Sequence, residues 1–197
     1  MLNHNYIVIE SIPTEIRFLS HLTLLFLYNN QLTGSIPSSF MLLSNLKRVN
    51  IANNQLNGNL INKFNSSNLV QIDIANNFFT NSLPFDLFHS NMSYFYATQN
   101  CFSGSISSQI CNANNLINLQ IAGLSSNPNC NNVVKSPFNP KIHLTTNIYG
   151  ELPSCLFSMS YLQVFYASGN GLHGQLYDIL YNSNLSQISL SYNRLSG

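Results

Sequence analysis

Apolar residues return along this chain on a fixed beat. With Asn30 as origin, they stand at −8, −5, −3 and +2, as Leu22, Leu25, Leu27 and Leu32. The same offsets from Asn54 give Leu46, Val49, Ile51 and Leu56, and from Asn193 they give Leu185, Ile188, Leu190 and Leu195. The successive origins are Asn30, Asn54, Asn77, Asn100, Leu124, Asn147, Asn170 and Asn193. Their spacing is nearly constant, and only Leu124 departs from asparagine. A further apolar position falls at +10 (Phe40, Phe64, Leu87, Ile110, Val134, Phe157, Leu180), and glycine recurs at +4 (Gly34, Gly58, Gly104, Gly174, Gly197).

The inward offsets −5 and −3 alternate with outward ones at −6, −4 and −2, the period of a strand with one face inward. Each repeat therefore predicts one short strand, and stacked repeats predict a parallel sheet along one side of a solenoid. Leaving such a strand sharply strands backbone donors and acceptors. An asparagine amide supplies both kinds of partner, so the origin residue reads as a structural hydrogen-bonding position, and its neighbour at −1, such as Asn76, reads as exposed and indifferent. Glycine at +4 suits a tight turn, with Asn81 able to replace it in a left-handed conformation. Proline at +7 (Pro37, Pro84) fits a position needing no amide donor.

The pattern is LxxLxLxxNxLxGxIP, complete in "LTGSIP" at 32–37 and displaced by one residue in "GELP" at 150–153. It resembles the leucine-rich repeat family in its plant-type variant. The resemblance implies an α/β-type repeat solenoid, a horseshoe with parallel strands on the concave face and 3-10 or irregular segments on the convex face. About eight repeats, each of about 23 residues, account for 1–197 as a single solenoid. Both ends break off within a repeat, so the chain reads as a piece of a longer array. Around Leu124 the turn motif is lost and Pro128, Pro137 and Pro140 appear, yet the length keeps the period. That predicts a divergent repeat in place, not an inserted segment.

Composition narrows the function. Apolar residues make up 45% and charged residues only 7%, against about 25% charged in ordinary soluble domains. The surface is thus polar but nearly uncharged. A net charge of +1 gives no concentrated basic face for nucleic acid. No run approaches the ~18 apolar residues of a membrane span, and the N-terminus lacks the basic start and apolar centre of a signal peptide.

No catalytic, cofactor or metal motif is present. The carboxylates share no register in adjacent repeats, and Asp86 and Asp178, nearest in register, would lie about 20 Å apart. The chain therefore reads as no enzyme. The outward strand positions are more informative: Phe26, Tyr28, Arg48, Asn50, Gln71, Asp73, Tyr94, Tyr96, Gln120, His143 and Tyr166. Aromatic residues mixed with polar groups suit a recognition face, with exposed strand propensity as the plainer explanation. Sequons at Asn65, Asn91 and Asn184 are candidate glycosylation sites, although asparagine and serine are abundant enough for chance to supply them. Four cysteines, 101, 111, 130 and 155, allow three pairings of two disulfides. For a secreted chain, the offsets +6 and +8 of adjacent repeats favour Cys130–Cys155.

The resemblance implies a protein-interaction module within an extracellular, receptor-like or cell-surface ectodomain, binding a protein, peptide or glycan. A membrane segment or kinase would then lie elsewhere in the full chain. A secreted inhibitor of a polysaccharide-degrading enzyme and an intracellular scaffold are the alternatives.

Overall fold

A computed structural model describes residues 10–64, 67–126, 130, 148–176 and 184–197, and the backbone of 134–135 and 143–144. Among these, seven strands form one parallel sheet in chain order: Leu24–Phe26, Arg48–Asn50, Gln71–Asp73, Tyr94–Tyr96, Asn118–Gln120, Val164–Tyr166 and Gln187–Ser189. Their middle residues lie in line, Leu25 beside Val49, then Ile72, Phe95, Leu119 and Phe165. All six are buried. Three residues suffice for each strand because one inward side chain, flanked by two outward ones, is all that a turn of the solenoid needs.

Beyond the origin residues, further parallel strands of two to four residues line the adjoining side, as in Thr33–Ser35, Gln55–Gly58 and Phe78–Phe79. The convex side carries 3-10 turns at Thr14–Phe18, Ser38–Leu42, Phe85–Leu87, Ser108–Asn112 and Ser154–Phe157. Four of them follow a proline, Pro13, Pro37, Pro84 and Pro153, whose fixed φ starts the turn and whose missing N–H would have had no partner there. The fifth follows Ser107, whose hydroxyl accepts from the Gln109 amide. These turns bury the apolar +10 residues Phe40, Leu87, Ile110 and Phe157. Ring pairs such as Phe88–Phe95 and Phe157–Phe165 (centroids 4.8 and 6.0 Å apart) join the convex turns to the concave strands.

The asparagine spacing has its predicted cause. Asn77 is fully buried. Its Oδ1 accepts from Leu56 N at 3.0 Å in the preceding repeat, and its Nδ2 donates to the carbonyls of Ile51, Ile74 and Ala75. Asn54, Asn100, Asn170 and Asn193 repeat the pattern. At Leu124 the side chain joins the core, and its own backbone oxygen accepts from Phe102 N instead. Asn147 lies outside the described residues.

The −1 position is less indifferent than its exposure suggests. Asn29, Asn53, Asn76, Gln99 and Tyr192 all have φ between 53° and 58°, a left-handed conformation that asparagine tolerates and most residues resist. Asn76 also donates to Asn53, and Asn53 to Asn29, at 2.7 and 2.8 Å. Asn81 is left-handed at φ 64°, as the glycine replacement requires.

The divergent stretch overturns one expectation. A sixth repeat centred on Asn147 would place His143 in the concave sheet. Instead Asn118–Gln120 pairs directly with Val164–Tyr166, and the ladder closes from Leu124 N to Asn170 Oδ1 across 46 residues. His143–Leu144 pairs antiparallel with Val134–Lys135, apart from that sheet. The solenoid resumes at Ile148, which lies beside Gly104 as Leu56 lies beside Gly34. In a regular turn Ser126 would hold that place, so the stretch from 126 to 147 is an insertion. Joining 124–125 to 148–153 restores the motif as "LS" plus "IYGELP". The displacement of "GELP" arises because the insertion falls just short of one full period.

The disulfide expectation falls with it. Cys101 is bonded to Cys130 and Cys111 to Cys155, with Cα separations of 5.4 and 6.0 Å. Cys130 occupies no regular offset, because it lies within the insertion. Cys155 belongs to the 3-10 turn that follows Ser108–Asn112 on the convex side, and so meets Cys111. One bridge ties the insertion itself, and the other the turn that follows it, to the fourth repeat.

Candidate functional site

The concave face is built from two outward rows, at −6 and −4. Arg48, Gln71, Tyr94, Asn118 and Val164 follow one another in the first row, and Asn50, Asp73, Tyr96, Gln120 and Tyr166 in the second. Adjacent strands lie about 4.8 Å apart, so each side chain is flanked by its counterparts. The −2 row beside them is mostly small, with Ala52, Ala75, Thr98, Ala122 and Ser168. The large side chains therefore stand above a low border on that side.

Sequence reasoning placed Arg48, Asn50, Gln71, Asp73, Tyr94, Tyr96, Gln120 and Tyr166 on this face, and the strands bring them together. Loss of the sixth strand sets Tyr166 directly beside Gln120, two strands from Tyr96. Phe26 and Tyr28 stand at the first strand of the sheet, 53% and 49% exposed, next to Leu24. The tyrosines in the middle are half-buried by neighbouring strands. His143 is not on this face.

Asp73 is the one carboxylate among the described outward positions of this sheet. Its Oδ2 accepts from Asn50 Nδ2 at 3.2 Å and its Oδ1 from Ala75 N at 3.1 Å. Asn50 is held in turn by accepting from Ala52 N at 3.0 Å. Burial pushes the Asp73 carboxyl above its ordinary range, against the two hydrogen bonds that pull it down. Burial also raises the Tyr96 phenol, helped by Tyr94 and by the charge of Asp73. At the far end of the face, the Tyr166 hydroxyl donates to Gln187 Oε1.

One residue escaped the sequence reading. Asn118 stands beside Tyr94, and its Oδ1 is buried without a hydrogen-bond partner. Its place at −6, the offset of Tyr94, was the available signal. Of the sequons, Asn65 lies outside the described residues. Asn91 and Asn184 belong to a second ladder at −9, where Asn45, Asn68, Asn91, Asn115 and Asn184 each donate Nδ2 to a serine carbonyl of the preceding turn. Their asparagines thus have a structural reason independent of any glycan. Elsewhere, Asp86 accepts from the backbone of Asn62 at 3.1 Å, a tie between turns, and Asp178 lies outside the described residues. Among the described residues no helix is long and apolar enough to cross a membrane.

The sequence profile of the Leucine Rich Repeat family matches residues 21–43. No match is found among curated proteins. Among solved structures, the Arabidopsis receptor kinase HAESA, in complex with the peptide hormone IDA and the co-receptor SERK1, is similar over 95% of this chain and 28% of its own, with 27% identity and a TM-score of 0.78. The structure of PEPR1–AtPEP1 is similar over 95% of this chain and 24% of its own, with 26% identity and a TM-score of 0.76. A plant ice-binding protein shares the fold at 19% identity and a TM-score of 0.68, over 94% of this chain and 54% of its own. The chain thus spans about a quarter of the length of the first two of these structures.

Proposed function

We propose that this leucine-rich-repeat protein, which resembles plant receptor ectodomains, binds a peptide or protein across its concave face in an extracellular or cell-surface setting. One observation carries the reading. Tyr94, Tyr96 and Tyr166 form a half-buried aromatic group on a rigid sheet, interleaved with polar side chains. Tyrosine offers a broad amphipathic surface and loses little entropy on contact, and anchors of this kind dominate interface energies.

Two features support the setting and the partner class. Disulfides persist in oxidising compartments, and Cys101–Cys130 and Cys111–Cys155 leave no free thiol among the described residues, which weighs against the intracellular scaffold. HAESA, at 27% identity, holds the peptide hormone IDA. A kinase or membrane segment elsewhere in a longer chain belongs to the same proposal. Fold by itself does not carry it, since an ice-binding protein shares the architecture.

Panning a displayed heptapeptide library against the intact protein tests the reading. Enriched peptides should lose most of their affinity for a Tyr94→Ala/Tyr96→Ala variant that keeps its circular dichroism spectrum, a cost of about 2 kcal/mol or more. Peptides that bind this variant normally but fail on Lys135→Ala or Phe138→Ala would transfer recognition to the segment between 126 and 148.

A further inference from the structure

Two acceptors on the concave face lack the donors their positions call for. Asp73 is half-buried among neutral groups, and its donors are the Asn50 side-chain amide and the Ala75 backbone N–H. A carboxylate has about four lone-pair sites, so capacity remains on each oxygen. No ion pair reaches it among the described residues. Arg48, one strand away, lies opposite Gln71, in the other row. Two strands from Asp73, Asn118 Oδ1 is buried with no partner at all. Such an acceptor costs about 1–3 kcal/mol when left unsatisfied.

The strand between these two acceptors is Tyr94–Tyr96. Tyr96 lies beside Asp73 and Tyr94 beside Asn118. A carboxylate with aromatic neighbours is suited to a cation, attracted by the charge and by the ring faces together. Asn118 instead wants a neutral N–H.

We propose that the concave site takes an extended peptide carrying a basic side chain, arginine for preference, which docks on Asp73 against Tyr96, while the Asn118 side chain turns outward to bring its unpartnered oxygen to a peptide N–H. The proposal rests on the peptide-binding reading above and adds the chemistry of the ligand. Arginine is preferred over lysine because its planar fork matches a carboxylate and stacks on aromatic rings. The spacing suits both contacts once the Asn118 side chain has turned. Two strand spacings and the two-residue step between the rows come to about 12 Å, and an extended chain covers that in roughly three to four residues.

The test is a nuclear magnetic resonance titration of the intact protein with acetyl-Gly-Arg-Gly-amide and with its citrulline counterpart, which has nearly the same shape without the charge. The arginine peptide should shift the amides of Asp73, Tyr96 and Asn118 saturably. Its affinity should fall on the order of tenfold with citrulline, and likewise in Asp73→Asn, as loss of a charge-assisted contact implies. Asp73→Asn keeps an acceptor for Ala75 N, so the fold is preserved. Glu15→Gln, on the convex side, removes the same charge and should change nothing. Equal binding of the two peptides, an unchanged Asp73→Asn, or no saturable shift at these residues overturns the cation site. If it falls while library peptides still require Tyr94 and Tyr96, the concave reading survives alone. If the tyrosines are also dispensable, both fall.

Discussion

Asn77 joins two turns of the solenoid with a single amide, one oxygen receiving Leu56 N and one nitrogen shared by three carbonyls. Alanine in its place leaves these buried groups without partners. The expected loss is about 1–3 kcal/mol, read as a lower urea midpoint. Asn76 is half-buried, and its φ of 53° makes alanine costly by about 1–2 kcal/mol, while glycine there should be close to neutral. The order of midpoints should therefore be Asn77→Ala lowest, Asn76→Ala next and Asn76→Gly near wild type. Equal midpoints for Asn77→Ala and Asn76→Gly would refute the ladder's role. Asp73 adds a pH dependence. Its carboxyl is raised in the folded protein, so the native state holds its proton more tightly than the unfolded chain. The resulting stabilisation is full below the ordinary carboxylate range and is lost as pH rises through the raised value. Asp73→Asn should abolish this decline, giving a flatter stability profile from mildly acidic to neutral pH. A profile parallel to wild type would contradict the assignment.

At the scale of elements, the two disulfides hold the insertion to the fourth repeat, one from within it and one from the 3-10 turn after it. Cys101–Cys130 closes over 29 residues and Cys111–Cys155 over 44. Cross-links of this span contribute about 2–4 kcal/mol by restricting the unfolded chain. Cys111→Ser/Cys155→Ser should lower the denaturation midpoint accordingly. Proteolysis and mass mapping of the oxidised protein should recover 101–130 and 111–155. A peptide linking Cys130 to Cys155 would instead restore the regular sixth repeat and undo the register described here.

For the whole molecule, the insertion is separable from the solenoid on geometric grounds. Deleting residues 126–147, with Cys101 changed to Ser, joins Ser125 to Ile148 and re-forms an unbroken repeat. Ile148 then keeps its pairing with Gly104, and Glu151 its bridge to His173. This variant should unfold cooperatively and retain the contact of Tyr166 with its neighbours on the concave face. Loss of cooperative unfolding would show that the insertion is part of the core. If recognition lies on the concave strands, library peptides should bind the deletion variant as they bind the full chain.

The sequence by itself determined the repeat, the inward residues and the ladder asparagines, because each turn meets the same local demand. One apolar side chain must point inward, and one amide must serve the backbone at the exit, so residues such as Asn77 and Ile72 are legible one repeat at a time. It also placed Tyr94, Tyr96 and Asp73 on one face, since outward offsets follow from the strand period. Tertiary structure alone decided which strand lies beside which. The insertion, 126–147, is nearly one period long, so counting along the chain cannot tell it from a repeat. The difference lies in backbone pairing, with Leu119 meeting Phe165 and Leu124 meeting Asn170. His143, the disulfide partners and the unpartnered oxygen of Asn118 all depend on that pairing, which no single repeat encodes.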